Sequence, residues 1–96
     1  MTPLDAIQTR ESEIRALAAK HGAGNIRVFG SVARGGASEQ SDVDFLIDVG
    51  TATSSWFPAG LILDLEELLG KRVQVVTEQG LDPLLCERVL REAVPL

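Results

Sequence analysis

Apolar residues recur at helical spacing over the first twenty positions of the chain, with arginine, glutamate and glutamine between them. The members of this stripe are Leu4, Ile7, Ile14, Leu17 and Ala18. The spacing predicts one helix over residues 4–20, because residues three and four apart share a helix face. Glycines at 22 and 24 suit the left-handed end of a helix. The apolar run Ile26 to Phe29 then predicts a first strand that stops at Gly30.

An alternating pattern marks the next apolar segment. From Asp42 to Val49, every second residue is apolar, which predicts a second strand with one buried face. Trp56 and Phe57 follow in a predicted loop, where they either anchor the next helix or contact a base or a partner. Pro58 opens that helix, which Gly70 closes. Its core stripe is Leu61, Ile62, Leu65, Leu68 and Leu69.

The remaining residues predict a third strand and a last helix. Arg72 to Thr77 is the strand, and Asp82-Pro83 caps a helix that runs to about Val94. The core candidates of this helix are Leu85, Val89, Leu90 and Ala93. Its charged residues, including Glu87 and Glu92, are interpreted as a solvated face. Because repeats and linkers are missing from the sequence, we expect one domain over residues 1–96, of α/β (α+β) class, with helices packed on a small mixed β-sheet.

The charge balance narrows the range of partners. The chain has a net charge of −5, and its nine basic residues are scattered. Proteins that grip a nucleic-acid backbone usually gather lysine and arginine on one face, so direct nucleic-acid binding is not expected. No apolar run approaches the ~20 residues that span a bilayer. The start of the chain lacks a signal-peptide pattern and there is one cysteine, so a cytoplasmic protein is expected.

Two acidic residues make the first candidate site. Asp42 and Asp44 are two apart on a predicted strand, so their side chains share a face about 6.6 Å apart along the chain. That spacing lets both carboxylates reach one Mg²⁺, a cation that prefers oxygen ligands and completes its shell with water and phosphates. The alternative is a solvated polar face.

The turn before these acids favours a phosphate site. Gly30 allows close backbone approach, and Ser31 is predicted to cap a short helical turn whose N–H groups suit an anion. Arg34 can offer a forked donor to a phosphate or pair with one of the aspartates. The alternative is a glycine-rich hairpin with a surface arginine.

The two segments together, Phe29-Gly-Ser-Val-Ala-Arg-Gly-Gly and Ser41-Asp-Val-Asp-Phe-Leu-Ile, resemble the signature of the DNA polymerase β nucleotidyltransferase superfamily. More narrowly, the chain is similar to the minimal nucleotidyltransferases that form the antitoxin half of HEPN–MNT toxin–antitoxin pairs. The resemblance implies a polymerase β-like nucleotidyltransferase fold. It also implies transfer of AMP from ATP to a tyrosine of a HEPN toxin, a ribonuclease that the modification silences.

The resemblance also assigns roles by position. It implies that Asp42 and Asp44 ligate Mg²⁺, and that the nucleotide is held by Gly30, Ser31, Arg34 and Ser41. A third carboxylate is normal in this superfamily on the strand after the central helix, where this chain has Gln74. Glu78 and Asp48 are too far along their strands to replace it without a bend.

Gln74 leaves more than one function open. The first is a Mg²⁺-dependent transferase acting on a protein partner, and the second is a catalytically weakened antitoxin that binds nucleotide and neutralises its toxin by occlusion. A third is the nucleotide-binding half of a two-chain enzyme with a small-molecule acceptor. Each version requires a partner, in a homo- or hetero-oligomer, because 96 residues leave no room for an acceptor domain.

Overall fold

The fold is a four-stranded mixed sheet with helices on it, in a computed structural model that describes residues 2–36, 38, 40–50 and 57–96. The helices are α1 (Pro3–Gln8), α2 (Glu11–Lys20), α3 (Gly30–Arg34), α4 (Ala59–Leu69) and α5 (Pro83–Glu92). The strands are β1 (Ala23–Phe29), β2 (Val43–Val49), β3 (Val73–Thr77) and β4 (Val94–Pro95). This architecture confirms the predicted fold class.

The strands lie in the order β3-β2-β1-β4. β1 is antiparallel to both of its neighbours, whereas β2 and β3 are parallel and are joined through α4. β4 is a short strand that the sequence pattern did not predict, because two residues are too few for a period-2 signal. It pairs with Arg27 and Val28 of β1.

The apolar core lies on one face of the sheet, and its centre is fully buried. It is formed by Ile14, Val28, Val43, Phe45, Ile47, Leu61 and Leu65, among others. The alternation predicted for β2 explains why Val43, Phe45 and Ile47 share this face. Leu46 points to the opposite face and is buried as well. Asp42 and Asp44 belong to that second face, so the predicted orientation of the acids, away from the main core, is confirmed.

Three helix predictions need correction. The helix expected over residues 4–20 is broken after Gln8, where the Thr9 hydroxyl donates a hydrogen bond to the Ala6 carbonyl and competes with the helical ladder. Ser31 lies inside α3 instead of capping it, and the cap position is Phe29. In α5, Val89 is buried as expected, but Leu85 and Leu90 are 46% and 44% exposed.

Other expectations for the helices are met. Gly70 ends α4 in the left-handed conformation, and the Asp82 side chain caps α5 by accepting a hydrogen bond from the Leu84 N–H. Phe57 packs against the core, while Trp56 lies outside the described residues. Among the helices that are described, none is long and apolar enough to cross a membrane.

Candidate nucleotide and metal site

The glycine at the end of β1 lets two chain segments approach closely. Gly30 has a φ of +74°, which favours glycine. A Cβ added at this position would collide with the Asp44 carboxylate. From the sequence, the missing Cβ was expected to allow the approach of a ligand, whereas in the structure it makes room for one of the candidate metal-binding acids. The motif glycine and the motif aspartate are therefore parts of one packed unit.

Asp42 and Asp44 stand at the start of β2, on the polar face of the sheet. Asp42 directly precedes the strand and is exposed, and Asp44 is partly buried. Burial raises the pKa of Asp44 above its usual value, the nearby charge of Asp42 raises it further, and Arg34 opposes both. Two carboxylates in this arrangement have a surplus of negative charge, which a bound cation would relieve.

Gln74 lies directly beside Asp44 on the neighbouring strand. In the parallel register of β2 and β3, Asp44 is opposite Gln74, and residues opposite each other share a face. Gln74 is exposed. The position beside Asp44 from which a third carboxylate could join the pair therefore carries an amide. An amide offers a carbonyl oxygen but no negative charge.

The arginine of the motif is held by a glutamate from the other end of the chain. Nη1 of Arg34 donates to both carboxylate oxygens of Glu92, at 3.1 and 3.0 Å. The backbone N–H of Gly30 donates to the same carboxylate at 3.0 Å. Burial raises the pKa of Glu92, but the hydrogen bonds from Arg34 and Gly30 outweigh it, and the pKa lies below its usual value.

The interpretation of Glu92 as a solvated residue was wrong. Its side chain is only 17% exposed. No local signal identifies its partners Arg34 and Gly30, which lie 58 and 62 residues away in the sequence. One weak signal was available: Glu92 is the last residue of α5, and an acid in that turn is unfavourable for the helix dipole unless a tertiary contact compensates for it.

The two serines of the motif lie in different elements, Ser31 in α3 and Ser41 in the turn before β2. Ser31 is half-buried in α3, beside Gly30. The Ser41 hydroxyl accepts a hydrogen bond from the Ser38 N–H at 3.0 Å and so braces the turn that leads into Asp42. Ser41 thus shapes the approach to the acids through this turn, and its hydroxyl is already engaged there.

A second residue that sequence reasoning missed is Arg27. It is 9% exposed and lies on the same face of the sheet as Asp44. Arg27 is paired with Leu46, two residues after Asp44 in β2. Its guanidinium donates to Asp48 at 2.9 Å and to Glu78 at 3.3 Å. Both acids are therefore counterions of a buried arginine, which agrees with the expectation that neither replaces a carboxylate at position 74.

The carboxylates of Asp42 and Asp44 are suitable ligands for Mg²⁺, although two carboxylates are a small ligand set. Carboxylate oxygens are hard donors, and Mg²⁺ is commonly held by one or two carboxylates together with water and substrate phosphates. Within the described part of the chain, no group of three or more histidine, cysteine, aspartate or glutamate side chains is arranged to hold a metal ion. Asp42 and Asp44 are a pair, and the remaining ligands would come from water and the nucleotide.

Known proteins are similar to this chain in sequence. The family model for the nucleotidyltransferase domain matches residues 12–96. A Methanocaldococcus jannaschii protein named "Putative protein adenylyltransferase" is 44% identical over 75 residues, covering 78% of this chain and 81% of that protein. The Thermococcus cleftensis "Protein adenylyltransferase MntA" is 41% identical over 80 residues, covering 83% and 81%.

Solved structures give the same picture. A chain described as a "putative minimal nucleotidyltransferase" is 49% identical, with a TM-score of 0.85 over 100% of this chain and 97% of that one. A chain from a crystal structure of "the toxin-antitoxin with AMP-PNP" has a TM-score of 0.74 and 22% identity, covering 88% and 70%. At that identity, the second likeness concerns the fold alone.

Proposed function

The chain belongs to the nucleotidyltransferase domain family, and from that premise we propose that it is a Mg²⁺-dependent protein adenylyltransferase that moves AMP from ATP to a HEPN-type toxin and so acts as an antitoxin. The observation that carries the proposal is the packing of Asp44 against Gly30, because it joins the acid pair to the Gly30–Arg34 turn in one site. Relatives at 44% and 41% identity that are named protein adenylyltransferases support the choice of a protein as acceptor.

The roles of the residues follow from their positions. Asp42 and Asp44 would hold Mg²⁺, which neutralises phosphate charge and orients the reacting oxygens. Ser31 and Arg34 would contact the triphosphate, Gly30 would keep the backbone close to it, and Ser41 would hold the turn before the acids.

In the proposed reaction, the acceptor tyrosine oxygen bonds to the α-phosphorus, and the bond from that phosphorus to the bridging oxygen of pyrophosphate breaks. Pyrophosphate leaves with the electron pair, and the phenol proton passes to solvent or to a carboxylate.

The charge of the chain and its similarity to known proteins both bear on the acceptor and the nucleotide. The net charge of −5 disfavours a nucleic-acid acceptor, and a metal ion allows an acidic protein to bind a triphosphate. The relatives at 44% and 41% identity are named protein adenylyltransferases, which favours an adenine nucleotide. The same fold occurs in a chain of a toxin–antitoxin structure with AMP-PNP.

A second function is favoured by Gln74 beside Asp44. In this version the protein binds nucleotide and Mg²⁺ but transfers AMP slowly, and it neutralises the toxin by covering it. A carboxylate at position 74 would help to hold the metal ion and prepare the attacking hydroxyl, so without one nucleotide binding would survive better than catalysis.

Calorimetric titration of ATP with and without Mg²⁺ tests the shared part of both proposals. We expect Mg²⁺-dependent binding that weakens by about tenfold or more in Asp42→Asn and in Asp44→Asn, since each removes a charged metal ligand. Asp82→Asn is the matched control, because Asp82 caps α5 at a distance in sequence from the motif. An ATP affinity that is the same with and without Mg²⁺, and the same in both variants, would contradict the proposed site.

Labelling of the co-expressed partner with α-³²P-ATP distinguishes the two functions. Transfer to a partner tyrosine, lost in Asp44→Asn, supports the adenylyltransferase. Toxin neutralisation that persists in Asp44→Asn without any labelling supports the binding antitoxin.

A further inference from the structure

The contact between Glu92 and the motif joins the C-terminal helix to the candidate phosphate site. Its carboxylate receives three hydrogen bonds, two from Nη1 of Arg34 and one from the backbone of Gly30. Bonds between ionised partners are among the strongest that side chains make. α3 and α5, far apart in sequence, are in direct contact in the fold.

The contact leaves part of Arg34 available. The glutamate uses only Nη1, and within the described residues no hydrogen bond engages the Nε–Nη2 edge of the guanidinium. The Arg34 side chain is 47% exposed, compared with 17% for Glu92. Glu92 therefore holds one side of the guanidinium and leaves a forked edge with two parallel N–H donors, the geometry that suits a phosphate.

The same contact determines which donors remain for a ligand. The Gly30 N–H already has the Glu92 carboxylate as its acceptor. The charge of Arg34 also acts on Asp44, so the guanidinium lies within electrostatic reach of the acid pair. Without the contact to Glu92, the Arg34 side chain would populate many rotamers. Fixing one of them when a nucleotide binds would cost conformational entropy.

From these contacts we propose that Glu92 is a positioning residue for triphosphate binding: it holds Arg34 so that the Nε–Nη2 edge meets the phosphates next to Asp42 and Asp44. The inference rests on the proposed nucleotide site and adds a residue to it that the motif does not contain. It makes nucleotide affinity depend on the last turn of α5. Glu92 itself touches no reacting atom.

The test compares ATP with AMP, since only the triphosphate needs the full arginine contact. In Glu92→Gln, which keeps the size of the side chain and removes its charge, we expect ATP affinity measured by calorimetry to fall by about tenfold, the effect of losing one charge-assisted hydrogen bond. AMP affinity should change less than about twofold. Glu87→Gln, on an exposed residue five positions earlier in α5, should leave both affinities unchanged.

A double-mutant cycle with Arg34→Met identifies the route. If Glu92 acts through Arg34, adding Glu92→Gln to Arg34→Met causes no further loss of ATP affinity. Glu92→Asp is the second variant, because it keeps the charge but is too short by one methylene group, and it should also weaken ATP selectively. Circular dichroism melts verify that each protein titrated is folded.

Several results would overturn the proposal. They are an equal loss for ATP and AMP, a full additional loss in the Arg34→Met background, or tighter ATP binding in Glu92→Gln, which would mean that the carboxylate competes with the phosphates. These failures leave the proposed function intact as long as the wild-type protein binds ATP with Mg²⁺ and loses that binding in Asp44→Asn. Without wild-type binding, the proposed function itself fails.

Discussion

At the scale of single residues, the motif is a set of contacts that only particular side chains permit. Gly30 combines a positive φ with direct packing against Asp44, so two separate constraints exclude a side chain there. Gly35 has a positive φ of 79° but open space around it. Gly36 has open space as well and a φ outside the glycine-favouring region. Substitutions at these three glycines therefore distinguish the free-energy cost of a positive φ from the cost of a steric clash with Asp44.

Alanine substitutions at these glycines should fall in a graded series. Gly36→Ala should change the free energy of unfolding by less than about 1 kcal/mol, and Gly35→Ala should lower it by about 1–2 kcal/mol because of the left-handed conformation. Gly30→Ala should cost more than either, since Asp44 must also move. Urea denaturation measures the three values. A loss in Gly30→Ala no greater than in Gly35→Ala would contradict the packing argument.

The amide beside Asp44 makes a second prediction at this scale. Gln74→Asp places a carboxylate at the exposed position opposite Asp44, where a strand neighbour shares its face. If the amide limits the transfer step, AMP transfer to the partner should rise by about tenfold or more, within the range that a positioned acid or base contributes. Single-turnover labelling measures the rate, with Gln79→Asp, an exposed glutamine beyond β3, as the control. An unchanged rate would show that Gln74 is not the limiting residue.

At the scale of elements, α2 and α4 are tied together by a histidine–aspartate contact. His21 ends α2, and its Nε2 lies 2.6 Å from Oδ2 of Asp64 in α4. Lys20 reaches the same oxygen at 3.4 Å. The hydrogen bond with His21, followed by that with Lys20, holds the pKa of Asp64 below its usual value despite some loss of hydration.

This contact should make stability depend on pH in one direction. Because the pKa of Asp64 is lowered in the folded state, its ionised form stabilises the fold above the ordinary pKa near 4, and that contribution is lost as the pH falls through the folded-state value. Asp64→Asn should therefore have a lower Tm than the wild type at pH 5–6, and the difference should shrink below about pH 4. Thermal melts from pH 6 to 3, with the exposed Glu67→Gln as control, measure it. A Tm difference that stays constant over that range would count against the contact.

The elements also show how far local pattern carries. Alternation in β2 and the leucine stripe of α4 predicted both elements, because each has enough residues for its period to show. The break between α1 and α2 was not predicted, since the apolar stripe continues across it. At the break, the Thr9 hydroxyl donates to the Ala6 carbonyl and the Arg10 N–H to the Ile7 carbonyl. Leu85 and Leu90 were assigned to the core on periodicity alone, but α5 buries Val89 and leaves those two residues exposed.

At the scale of the whole molecule, one face of the sheet carries the main apolar core, and the other face carries the candidate site. Phe45 is fully buried in the main core, while its neighbour Asp44 faces the candidate site. The pKa of Asp44 is raised by burial and by the charge of Asp42, so its ionised form is unfavourable in the folded protein at neutral pH. The Asp44 carboxylate in the candidate site therefore lowers the free energy of unfolding at neutral pH.

Substitutions at these adjacent residues should have opposite effects. Asp44→Asn should raise the Tm at pH 7 in the absence of metal and weaken Mg²⁺-dependent ATP binding. Phe45→Leu should lower the free energy of unfolding by about 1–2 kcal/mol, as a core substitution does, with little effect on the ATP affinity of the folded protein. Melts and calorimetry on the two variants measure both quantities. A lower Tm in Asp44→Asn would mean that this carboxylate stabilises the fold.

The sequence by itself determined the fold class, the apolar face of the sheet and the position of the motif from Gly30 to Asp44. These follow from short-range spacing, which the chain carries in consecutive residues. The tertiary structure decided that Glu92 binds Arg34 and Gly30. It also decided that Arg27 pairs with Asp48 and Glu78, and that Gln74 lies beside Asp44. Charges on exposed and buried surfaces look alike in a sequence, and partners 51 or 62 residues apart meet only when the strands and helices pack.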